Sequence, residues 1–118
     1  MVRPIAFAYW DQDADTAHKQ WKTIMAKNLQ ASKAFEIHCW KDERKEIEMA
    51  LAYGSIKKTD WEGGSVIEGA VTPKFIHFLL TLSKPDDTEV FYKMTPFFSI
   101  FLDNGFSSEH YGTELNQQ

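Results

Sequence analysis

A chain of 118 residues is enough for one domain that buries roughly two-thirds of its unfolded surface, so no second domain is required. Hydrophobic residues at 43% and charged residues at 25% exclude a disordered tail, and seventeen aromatics supply ample core volume. A net charge of −4 argues against nucleic acid as a direct partner, because phosphate binding needs a basic footprint.

Residues 4–10, "PIAFAYW", read as a short first strand. The apolar run from Ile5 to Trp10 is too short for the apolar region of a signal peptide, and no stretch approaches the roughly 20 apolar residues that span a bilayer. A single cysteine, Cys39, allows no internal disulfide. A cytoplasmic protein without membrane contact is the expectation.

The next segment, "AYWDQDADTAHKQW", carries Asp11, Asp13 and Asp15 at alternate positions. It imitates the opening of a calcium loop, but the sixth and twelfth positions, where glycine and a bidentate glutamate belong, hold Thr16 and Lys22. A helix start explains more: Asp13 as N-cap accepts a backbone N–H, and Asp15 meets the positive end of the helix dipole. Asp11, beside Trp10, is left without a local structural task. Through residues 14–32, Ala17, His18, Trp21, Ile24, Met25, Asn28 and Leu29 recur at helical spacing while Lys19, Lys22, Lys27 and Lys33 turn away.

"AFEIHCW" alternates Phe35, Ile37 and Cys39 against Glu36, His38 and Trp40, the period of a half-buried strand. "EIEMALAYG" alternates as well, and with "KDERK" between them the two predict a hairpin. The polar "SIKKTDWEGG" holds Trp61 between Asp60 and Glu62, ahead of a Gly63-Gly64 turn and a further strand, "SVIEGAV".

Residues 73–84 fit a helix or a hairpin, and Thr72-Pro73 tilts the reading to helix. "KPDD" and "TEVFYKM" add a second acidic group, Asp86, Asp87 and Glu89. "MTPFFSIFLDNGF" repeats the Thr-Pro start at Thr95-Pro96 and ends in Asn104-Gly105, predicting a short helix. Residues 112–118 read as a frayed tail. The expected fold is α+β, one domain over residues 1–118: a mainly antiparallel sheet with a long N-terminal helix and one or two shorter helices packed on one face.

No local motif marks catalysis or a metal centre, and neither a cofactor nor a metal is expected. His38 and Cys39 leave opposite faces of their strand and do not form a pair. A hydrolase or nuclease assembling His38, His77 or His110 with Glu36, Asp60 or Glu68 from separate strands stays open, as does a sensor whose phenylalanines over residues 75–106 line an apolar cavity. The stronger signal is acidic side chains beside tryptophan, an arrangement suited to anchoring and steering a basic protein. The candidate partner-binding residues are Trp10, Asp11, Asp13, Asp15, Asp60, Trp61, Glu62, Asp86, Asp87 and Glu89.

The order of "AYWDQDADTAHKQW", the helix carrying Trp21, "AFEIHCW" and "EIEMALAYG" resembles immunity proteins of bacterial contact-dependent growth inhibition systems, over Ala8 to Gly54. The resemblance implies a small cytoplasmic, non-catalytic protein that binds the C-terminal toxin domain of a cognate exported protein, often a nuclease, and blocks its active site. Oligomeric state is not implied by any of these features.

Overall fold

The computed structural model describes residues 3–5, 13–85 and 93–118. Among them lie, in chain order, β1 (Arg3–Pro4), α1 (Ala14–Gln30), β2 (Ala34–Trp40), α2 (Arg44–Leu51), β3 (Ser55–Lys57), β4 (Gly64–Ala70), α3 (Pro73–Thr81), β5 (Ser99–Leu102), β6 (Phe106–Glu109) and β7 (Glu114–Gln117). The strands form one seven-stranded sheet in the order β1-β7-β6-β5-β2-β4-β3, with every neighbouring pair antiparallel. This is the α+β fold expected of the sequence.

One sheet face is closed by helices. Ala17, Trp21, Met25 and Leu29 of α1, Ala50 of α2, and Phe75 and Leu79 of α3 form one core with Phe35, Ile37, Cys39, Ile67, Ile100, Leu102, Phe106 and Leu115 of the sheet. Register explains the grouping: Ile37 stands opposite both Ile67 and Ile100, so one row of apolar side chains crosses three strands on the same side. Phe75 stacks on Phe35 with ring centres 3.9 Å apart, and the Trp21 indole N–H donates to Ser108 Oγ at 3.1 Å. These contacts fix α3 and α1 to the sheet.

Four expectations are corrected. Residues 44–51 are helix α2 and not the second strand of a hairpin: Ile47, Ala50 and Tyr53 recur at three-residue intervals against the core, and Glu, Met, Ala and Leu are strong helix formers. The partners of β2 are β4 and β5. The hairpin that carried part of the family resemblance is thus absent.

Residues 99–102 are strand β5 and not helix, because Ile100 and Leu102 alternate with Ser99 and Phe101 and Asn104-Gly105 makes the turn into β6. The two Thr-Pro dipeptides differ in use. Thr72 Oγ1 accepts from Phe75 N at 3.1 Å and starts α3, whereas Thr95 is buried, its oxygen lies 3.5 Å from Phe97 N, and no helix follows.

The tail does not fray, since β7 pairs with β6 on one side and β1 on the other and Leu115 is buried. The polar stretch after Gly54 also contributes a strand, β3, which closes the sheet edge against β4. The strand expected over residues 4–10 is described only through β1 and Ile5, and of the two readings open for residues 73–84 the helix forms, as α3.

Candidate functional site

The second sheet face, opposite the helices, is built by the alternate residues of the same strands. From β2 come Glu36, His38 and Trp40; register sets Glu36 across from Glu68 and Phe101, and His38 across from Val66 and Ser99. The loop between β3 and β4 folds Trp61 onto this face. A side chain at Gly64 would run into the Cys39 carbonyl oxygen and meet the Trp61 ring at 2.7 Å, so glycine there lets the indole approach the strand closely.

A chain of aromatic rings results. Phe101 is 4.8 Å from His38, His38 is 5.8 Å from Trp61, Trp61 is 5.2 Å from Trp40, and Trp40 is 4.8 Å from Phe98. Phe98 in turn contacts Tyr111 at 5.4 Å and His110 at 5.7 Å. Trp40 remains 38% exposed, and the Trp61 and Phe101 side chains are half-buried.

The far end of this row is held by Glu43. Its carboxylate accepts from the Trp40 backbone N–H at 2.8 Å and from the Tyr111 hydroxyl at 2.8 Å, joining the end of β2 to the β6–β7 turn. That turn is strained: His110 and Tyr111 have φ of 52° and 61°, followed by Gly112 at 87°. The Tyr111 carbonyl accepts from Met94 and Thr95, and its N–H donates to Phe98, which pins the conformation. Burial, then the Glu43 hydrogen bond, raises the Tyr111 hydroxyl above its ordinary pKa.

At the near end is an open cleft of about 610 Å³ lined by Glu36, His38, Ser55, Glu68, Phe101 and Asp103 among others. Glu36 Oε2 accepts from Lys57 Nζ at 2.7 Å, and its Oε1 lies 3.4 Å from His38 Nε2. The Lys57 hydrogen bond, ahead of the His38 contact, holds the Glu36 carboxyl below its ordinary value. Asp103 accepts from the Lys33 backbone N–H at 2.8 Å and is likewise lowered, by the backbone N–H groups of Lys33 and Ala34. Both stay ionised at neutral pH.

The structure separates the residues singled out from the sequence. Asp13 is the N-cap of α1, accepting from Thr16 N at 2.9 Å and Thr16 Oγ1 at 2.8 Å, bonds that lower its pKa. Asp15 sits exposed in the first turn of the same helix. Both belong to the helical layer, whereas Asp60, Trp61 and Glu62 belong to the loop that covers the other face. Trp10, Asp11, Asp86, Asp87 and Glu89 lie outside the described residues.

Sequence reasoning did not single out Trp40, Glu36, Glu68 and Phe101 as binding residues. The alternation of β2 does mark Glu36, His38 and Trp40 as one row; Phe101 is hidden by the helix reading of its segment. Among the other groups considered, Cys39 is buried on the helical face, with burial foremost and Glu43 and Glu46 next pushing its thiol up to about 12, so it stays protonated and unreactive. Phe75, Phe97 and Phe106 are fully buried, and Phe78 packs between Tyr53 and Phe97.

Among the described residues no group of three or more His, Cys, Asp or Glu side chains is arranged to hold a metal ion, and no helix is long and apolar enough to cross a membrane. No protein-family model, curated protein or solved structure matches the chain.

Proposed function

We propose that the protein is a binding protein of the immunity type, which occludes a basic toxin domain in the cytoplasm with the open face of its sheet. The observation that carries this reading is the row Phe101, His38, Trp61, Trp40, part-exposed on that face with no helix over it among the described residues, and with Glu36, Glu68, Asp60 and Glu62 around it. Rigid aromatic rings desolvate well and lose little entropy on binding, so they serve as anchors. Carboxylates at the rim steer a partner whose own site is built to hold phosphates. The family resemblance supplies the toxin as partner; the face supports binding by a basic protein.

The test is coexpression with the toxin domain of an exported protein encoded in a neighbouring reading frame. The native chain is expected to restore growth and to copurify with the toxin, and Trp61→Ala combined with Glu68→Lys is expected to abolish both. Full protection by that double variant, or none by the native chain, overturns the reading.

One observation favours a second reading: His38 is within 3.4 Å of Glu36 in an open cleft, a possible general base with its orienting carboxylate. Against it, Ser99 lies across from His38 but is buried and makes no hydrogen bond with the ring among the described residues. Hydrolysis of RNA, DNA or an ester that vanishes in His38→Ala would establish this alternative.

A further inference from the structure

Resting on the open-face reading, we propose that the cleft beside Phe101 is the seat for an arginine side chain projecting from the protein partner. Three features of the cleft, its charge, its shape and its aromatic wall, together suit a planar cation.

The first is charge. Register places Glu36 and Glu68 directly opposite one another on β2 and β4, an arrangement in which like charges repel. Lys57 relieves Glu36 by its 2.7 Å bond and attracts Glu68 only through space, while His38 faces the other oxygen of the Glu36 carboxylate. Glu68 is exposed and has no hydrogen bond among the described residues, while Asp103 adds a third carboxylate to the cleft wall. Three carboxylates against the one Lys57 ammonium leave an excess of negative charge that repels an anion and attracts a cation.

The second feature is shape. On this face Ala34 stands opposite Ala70, so two methyl groups occupy the strand ends where longer side chains would fill the space. The hollow of about 610 Å³ falls within the range of roughly 300–1,000 Å³ usual for ligand sites. It opens on the same face as Trp61 and Trp40, so a protein surface seated on the two indoles can send a side chain into it.

The third feature is the Phe101 ring, half-buried and forming an apolar wall of the cleft. A guanidinium stacks on an aromatic face and presents a fork of N–H donors to a carboxylate; an ammonium is a compact, strongly hydrated charge that matches neither element as well. Arginine is therefore selected over lysine by the combination of ring and carboxylate, where charge alone selects either.

The experiment is an amide NMR titration of the intact protein with acetyl-Gly-Arg-Gly-amide, against the lysine and citrulline peptides at the same millimolar concentrations. Saturable shifts at Glu36, His38, Glu68 and Phe101 are expected for arginine, with binding about threefold or more weaker for lysine and lost for the uncharged citrulline. Glu68→Gln is expected to weaken arginine binding about fivefold or more. Absent or scattered shifts, equal response to citrulline, or an unchanged Glu68→Gln variant overturns the arginine seat. The toxin assay fails separately: arginine binding without toxin neutralisation overturns the immunity partner, and neutralisation without arginine binding overturns only the seat.

Discussion

The two faces of this sheet are made by neighbouring residues of the same strands, yet they solve opposite problems. On one side Phe35, Ile37 and Cys39 disappear beneath three helices; on the other Glu36, His38 and Trp40 stay within reach of solvent. A strand that alternates so cleanly lets one face carry stability and frees the next residue for contact with other molecules. The open face is not merely polar. It keeps indole and phenyl rings beside carboxylates, a costlier surface to leave in water than lysine and serine.

Substitutions should separate the two faces. The largest effect on folding is expected from Phe75→Ala, which removes a fully buried ring stacked on Phe35 and should cost about 3–5 kcal/mol by urea denaturation. Trp61→Ala on the other face should cost stability no more than about 1.5 kcal/mol, since its main loss is ring contact with Trp40 and His38. The same change should weaken partner binding by about 2 kcal/mol or more if Trp61 is an anchor. A reversed pattern would break the division of labour.

Tyr111→Phe deletes the hydroxyl bond to Glu43 and should cost about 1 kcal/mol, while the signals of Trp40 and Phe98 shift in NMR spectra. The pH dependence is smaller. Because Glu36 has a lowered pKa in the folded state, its contribution is present above the ordinary value of 4.5 and is lost as pH falls through the lower folded value. Acid titration of stability should therefore show a flatter limb below that pH in Glu36→Gln than in the native chain. The smallest effect belongs to Glu68→Gln, which removes both an opposition to Glu36 and a through-space attraction to Lys57 and should leave stability nearly unchanged. A marked loss would mean that Glu68 holds the fold and is not free for a partner.

Much of the closed face was legible in the sequence, because α1 and β2 carry strong periodicity and the capping residues Asp13 and Thr72 mark the starts of α1 and of the otherwise ambiguous α3. The misread elements failed for identifiable reasons. Residues 47–53 satisfy both a two-residue and a three-residue period, and composition favours the helix they form. Thr95-Pro96 looks locally like Thr72-Pro73, but the segment after it finds strands on both sides, and long-range pairing overrides the local start.

The open face was half legible. Alternation in β2 put Glu36, His38 and Trp40 in one row, and Trp61 stood out beside Asp60 and Glu62. Which strands bring Glu68 and Phe101 alongside depends on the sheet order, which no short stretch encodes. Asp13 and Asp15, prominent in the sequence, have local work at the start of α1 in the other layer.

That separation provides the most direct test of the central claim, that the partner binds the open sheet face. The dissociation constant of the toxin domain is to be measured for Glu68→Lys and for Asp15→Lys beside the native chain. An increase of about a hundredfold for Glu68→Lys with little change for Asp15→Lys is the expected result. The opposite ranking would place the partner on the helical layer and contradict the account.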